Sequence, residues 1–92
     1  MENPLDMTGK VVLVTGGGKG IGKGISHCFL AAGAEVVVCG RNEPEQLPEH
    51  DGRSAVFTTC DVRDVEQVDD CVDFVVDRFG RLDVLVNNAG GA

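Results

Sequence analysis

The chain has 92 residues, 42% of them apolar, and a formal net charge of −7, which suits one small globular domain rather than a disordered chain. The acidic balance also argues against nucleic acid or an anionic membrane as a partner, since both demand a basic surface. Met1-Glu2-Asn3-Pro4-Leu5-Asp6 lacks the basic opening and apolar core of a secretory signal, and no run approaches a membrane span, so a cytoplasmic protein without membrane insertion is expected.

Lys10 to Val14 reads as the first strand, entered through Thr8-Gly9, and its unbroken apolar character suits a strand covered on both faces in the middle of a sheet. Thr15 to Gly22, Thr-Gly-Gly-Gly-Lys-Gly-Ile-Gly, follows as a glycine-rich turn into a helix that starts near Gly20. In that helix Ile21, Ile25, Cys28, Phe29 and Ala32 recur at steps of three and four, an apolar stripe expected to pack on the sheet, and Gly33 stops it. Glu35 to Cys39 is a second strand. Gly40-Arg41 and a polar stretch to Arg53, with Pro44, Pro48 and Gly52, leave room for at most a short helix. Ser54 to Cys60, β-branched and aromatic, is a third strand that runs into Asp61-Val62.

Asp64 looks like an N-cap with Gln67 three residues on, in a capping-box arrangement. Val65, Val68, Val72, Val75 and Phe79 form a stripe before Gly80 ends this second helix. Leu82 to Val86 is a fourth strand, closing in Asn87-Asn88-Ala89-Gly90. Strands alternating with helices imply parallel βαβ units with right-handed crossovers. The expected fold class is therefore α/β, a Rossmann-type doubly wound parallel sheet with about four strands, and residues 1–92 read as part of one such domain.

The glycine turn is suited to a phosphate. A chain that passes from strand to helix within a few residues needs φ > 0 somewhere, and needs no Cβ where a ligand's oxygens approach the backbone; Gly16, Gly20 and Gly22 are best placed for those jobs. The first N–H groups of the helix lack intrahelical partners and add to the positive end of its dipole. The spacing G-x-G-x-x-G is not met in any register, whereas T-G-x-x-x-G-x-G is met by Thr15, Gly16, Gly20 and Gly22. A P-loop pattern fails because Gly24 stands where a hydroxyl should reach Mg²⁺.

Cys28, Cys39, Cys60 and Cys71 are widely spaced with no C-x-x-C pair, and they read as buried reduced thiols in apolar surroundings. His27 lies one residue off its helix's apolar stripe and His50 sits in a polar loop; both read as solvated side chains. No metal site is expected from this pattern.

With these motifs in place the chain resembles the short-chain dehydrogenase/reductase family from Lys10 to Gly90. Thr15-Gly16-x-x-x-Gly20-Ile21-Gly22 is similar to the family's cofactor-phosphate turn, Asp61-Val62 to its adenine contact, and Asn87-Asn88-Ala89-Gly90 to its N-N-A-G signature. The resemblance implies a strand order 3-2-1-4 and a cofactor site drawn from Gly16, Gly18, Lys19, Gly20, Ile21, Gly22, Arg41, Asp61, Val62, Asn88, Ala89 and Gly90, with Asp61 and the Val62 backbone holding adenine. It also implies hydride transfer between a nicotinamide cofactor and a small-molecule carbonyl or alcohol, in a protein that forms homo-oligomers.

The residue after the second strand selects the cofactor: an acid there binds the ribose 2′-hydroxyl of NAD, and a basic residue receives the 2′-phosphate of NADP. This chain offers Gly40-Arg41, with Lys19 on the same side by resemblance, and the only nearby acid is Glu43. NADP(H) is expected over NAD(H). The family's catalytic Ser and Tyr-x-x-x-Lys are not here, since the sequence contains no tyrosine, so no catalytic residue is assigned. The 92 residues are expected to be inactive alone, as the amino-terminal half of a larger reductase. The alternative is a non-catalytic nucleotide-binding or interaction module, complete at this length.

Overall fold

The run from Val11 to Thr15 is buried at every position and forms β1 (Val11–Thr15), an inner strand of a four-stranded sheet. The computed structural model describes residues 6–88. Along the chain β1 is followed by α1 (Gly20–Ala31), β2 (Glu35–Gly40), β3 (Glu49–His50), β4 (Arg53–Ser54), β5 (Val56–Thr59), α2 (Val65–Phe79) and β6 (Val84–Asn87). The main sheet runs β5-β2-β1-β6 with all three pairings parallel, which is the expected 3-2-1-4 order. Alternate residues of the inner strands feed two cores. Val12, Val14, Val36 and Val38 pack with Leu30 on the α1 side; Val11, Leu13, Val37 and Cys39 pack with Cys71 and Val75 on the α2 side. Burial on both faces explains the continuous apolar runs.

The expected third strand is split. Arg53–Ser54 pairs antiparallel with Glu49–His50, and only Val56–Thr59 joins the main sheet. Asp51 and Gly52 both have positive φ, 51° and 77°, as a two-residue Asp-Gly hairpin turn requires. That turn folds the segment back on itself before the chain enters the sheet at the buried Ala55.

α1 also presents a different face from the expected one. Its buried residues are Gly22, Ser26 and Leu30, while Ile21 is 78% exposed and Cys28 is exposed. A small-residue side can approach the preceding turn more closely than an isoleucine can, and it is that side which faces inward. Ile25 and Phe29 pack at the margin of the core. In α2 the stripe holds from Val68 to Phe79, but Val65 is exposed. Asp64 caps the helix by accepting from the Glu66 N–H at 3.0 Å. Gln67 reaches past the cap, its Oε1 accepting from the Asp61 N–H at 2.8 Å, and Gly80 ends the helix at φ 80°.

Two charged side chains secure the frame. α1 has no basic residue in its last turn; Arg53 supplies one from β4, donating to the carbonyls of Leu30 at 2.6 Å and Ala34 at 3.2 Å. Its side chain is 38% exposed, so screening reduces its contribution, and Arg53→Ala is expected to lower stability by about 1–2 kcal/mol in urea denaturation. An unchanged midpoint would contradict that role. Asp83 joins the entry of β6 to β1 by accepting from the Val11 N–H at 2.8 Å and from Arg81 at 2.8 Å. Arg81 and the Val11 N–H hold its carboxyl below the usual carboxylate range. A depressed folded pKa stabilises above the unfolded value and the benefit is lost as pH falls through the folded value. Stability should therefore decline below about pH 4, and Asp83→Asn should flatten part of that acid limb in thermal melts across pH.

Candidate cofactor site

The turn between β1 and α1 is shaped by its glycines. Gly16 and Gly20 take φ of 66° and 54°, a region costly for residues with a Cβ. A Cβ on Gly22 would run into the carbonyl oxygen of Gly16 and lie 2.5 Å from the side-chain amide of Asn88, so helix and turn can meet only where a glycine stands. The Gly16 N–H donates to the Cys39 carbonyl at 2.8 Å, tying the turn to the end of β2. Ser26, fully buried, places its hydroxyl 2.8 Å from the Gly22 carbonyl and 3.1 Å from that of Gly17. Sequence reasoning passed over Ser26, since a serine within a helix carries no signal of this kind. Lys19, the extended residue before α1, makes no side-chain cap, and the first turn of the helix contains no acid. Those backbone amides suit an anion.

Beside this turn, beyond the carboxyl ends of β1 and β2, lies a cleft of about 160 Å³ lined by Gly16, Gly18, Lys19, Gly40, Arg41 and Phe57, among others. It brings together four of the residues expected from sequence: Gly16, Gly18, Lys19 and Arg41. No acidic side chain is among the described residues that line it. Gly20 borders a different groove, toward His27 and Leu47; Ile21 points to solvent, and Gly22 is buried beneath the turn.

Asp61 and Val62 are outside this cleft. The Asp61 carboxylate is gripped by Arg63, whose side chain donates to both oxygens at 2.9 and 3.0 Å while its backbone N–H donates to Oδ1 at 3.0 Å. These bonds hold the carboxyl at about 2, with Arg41 adding a weaker pull. Val62 turns into a second cavity, of about 200 Å³, between the sheet and α2. Asn88 braces the floor of the site: its N–H donates to Thr15 Oγ1 at 2.9 Å, and its side-chain amide lies 3.4 Å from the Gly16 carbonyl. Ala89 and Gly90 lie outside the described residues.

The cysteines and histidines meet expectation only in part: three of the four thiols are buried and His27 is exposed, as expected. Cys39, Cys60 and Cys71 are buried and converge, with their sulfur atoms within 4.8 Å of one another, whereas Cys28 is exposed. A hydrogen bond with Cys71, then burial, raises the Cys39 thiol; the same contact lowers Cys71, and burial raises Cys60. His50 belongs to the β3–β4 hairpin rather than to a loop, and its ring meets that of His27 edge-on with centroids 5.2 Å apart.

A family model for short chain dehydrogenases matches residues 10–92. The chain belongs to that family. It is 49% identical over 83 residues to the L-fucose dehydrogenase of Bos taurus, covering 89% of this chain and 31% of the relative. It therefore spans about a third of that relative's length. Among solved structures it is similar to an NADH-dependent reductase complexed with NAD, with a TM-score of 0.84 and 30% identity, covering 95% of this chain and 38% of the other. It is likewise similar to an actinorhodin polyketide ketoreductase with NADPH, with a TM-score of 0.79 and 43% identity, covering 89% and 33%. The first of these two structures is complexed with NAD and the second with NADPH, so likeness to them does not choose between the two dinucleotides.

No helix among the described residues is long and apolar enough to cross a membrane.

Proposed function

We propose that this chain forms the dinucleotide-binding part of a cytoplasmic, NADP(H)-dependent oxidoreductase that interconverts a small-molecule carbonyl and alcohol. The observation that carries the cofactor choice is the shared cleft: Lys19 and Arg41 both line it and, among the described residues, no acid does. NAD selection needs a carboxylate on the ribose 2′-hydroxyl, whereas a 2′-phosphate needs cations, and a guanidinium presents two parallel donors to it. Gly16, Gly18 and the uncapped start of α1 would receive the pyrophosphate. Asp61 would hold the adenine amine with the acceptor capacity that Arg63 leaves free, as a carboxylate has about four lone-pair sites. Asn88, with Ala89 and Gly90, would line the nicotinamide side. When bound, the nicotinamide supplies or accepts the hydride; the residues of this chain bind and orient it.

The enzymatic part of the proposal is tested on the full-length protein, by following NADPH consumption against a panel of sugars, steroids and other carbonyl compounds. Turnover with NADPH at least roughly tenfold more efficient than with NADH is expected, the ratio that one charge-assisted contact sustains. Turnover with neither cofactor on any carbonyl or alcohol would overturn it.

A further inference from the structure

The proposed cofactor chemistry makes no use of the three buried thiols. Cys39 lies near the end of β2, Cys60 directly follows β5, and Cys71 sits on α2, so three separate elements deliver one sulfur each to a single point. All three residues are at most 3% exposed. Against them lies the cavity of about 200 Å³, apolar along Leu13, Val62, Val68 and Leu85 and polar at Thr15 and Asn87.

We propose that Cys39, Cys60 and Cys71 form a binding site for one soft, thiophilic cation of the Zn²⁺ class, held by three sulfurs with a fourth position facing the cavity. Cysteine packs well as a small apolar residue, and core filling alone would explain any one of the three; it does not require three to meet. Thiolates at the usual Zn–S distance of about 2.3 Å stand roughly 3.8 Å apart. The observed limit of 4.8 Å can close to that by small side-chain rotations. A donor set of sulfur alone selects against Mg²⁺ and Ca²⁺, which take oxygen ligands.

Occupancy would act on the neighbouring cleft. The Cys39 carbonyl accepts the Gly16 N–H at 2.8 Å, and the Cys60 N–H donates to the Gly40 carbonyl at 2.8 Å. A cation joining β2, β5 and α2 would therefore fix the strand ends that carry the phosphate turn and Arg41. If metal and dinucleotide are coupled in this way, each alters the other's affinity by the same factor.

The test is a titration of the reduced chain with Cd²⁺, following thiolate-to-cadmium charge transfer in the ultraviolet, which is clear because the sequence has no tyrosine or tryptophan. Expected are saturation at one Cd²⁺ per chain, displacement by Zn²⁺, and an unchanged titration in Cys28→Ala. Cys71→Ala and, separately, Cys60→Ala should weaken binding by more than roughly tenfold, with circular dichroism confirming that each variant is folded. If neither variant folds, the wild-type titration together with Cys28→Ala decides. Absence of a band at stoichiometric Cd²⁺, loss of the band in Cys28→Ala, or its survival in folded Cys71→Ala would overturn the proposal. So would a chain that pairs two of these thiols as a disulfide on mild oxidation and takes up no Cd²⁺ when reduced.

Discussion

Gly22→Ala is expected to cost about 2 kcal/mol or more of stability and to abolish dinucleotide binding. The added Cβ would overlap the carbonyl oxygen of Gly16 and press on the Asn88 amide. A flexible side chain could swing aside, but the main obstacle is backbone, and Gly16 is anchored by its N–H to the Cys39 carbonyl at 2.8 Å. Overpacking of this kind typically costs about 1–3 kcal/mol, and a fixed backbone oxygen puts this case at the upper end. Alanine recovers about 1 kcal/mol of helix propensity at position 22, which offsets only part of that. For a domain of this size the thermal midpoint should fall by roughly 10 °C or more. Gly24→Ala is the matched control. Nothing lies within 4 Å of its added Cβ, so the same propensity should raise stability by up to about 1 kcal/mol. Thermal melts of the two variants check both, and equal stability of Gly22→Ala and wild type would mean that helix and turn do not meet as described.

Arg41→Ala is expected to weaken NADPH binding roughly ten- to a hundredfold, the loss of a charge-assisted contact of about 1.5–3 kcal/mol, while NADH binding changes by less than about twofold. Arg41 is exposed, so raising the salt concentration should narrow the gap. Arg41→Lys should recover part of the affinity, because it restores the charge without the two parallel donors. Titrations of nicotinamide fluorescence measure wild type and both variants, and equal losses for both cofactors in Arg41→Ala would sink the assignment.

Much of the frame was legible in the sequence because the relevant physics is local or periodic. The inner strands are buried on both faces and so appear as uninterrupted apolar runs. α2 announces itself through Asp64, its stripe and Gly80. α1 was legible as a helix but not in its orientation, since a hydrophobic pattern points to Ile21 and Cys28 whereas close packing selects Gly22 and Ser26. The split third strand was signalled by Asp51-Gly52, but the residues flanking that turn are polar and do not alternate as a hairpin usually does.

In the site, Arg41 could be found from the rule for the residue after a second strand, because that rule concerns position, whereas Lys19 came from the family resemblance of the glycine turn. The grip of Arg63 on Asp61 could not, since a contact between residues two apart depends on the local path of the chain. The meeting of the three thiols depends on sheet order and helix placement together, and nothing in their spacing announces it.

The most direct test of the central claim compares adenosine 2′,5′-bisphosphate with adenosine 5′-monophosphate by calorimetry on this chain. The two ligands differ only in the phosphate that Lys19 and Arg41 are proposed to hold. Binding of the bisphosphate tighter by roughly tenfold or more is the expected result. Equal affinity, or preference for the monophosphate, would contradict an NADP(H) site.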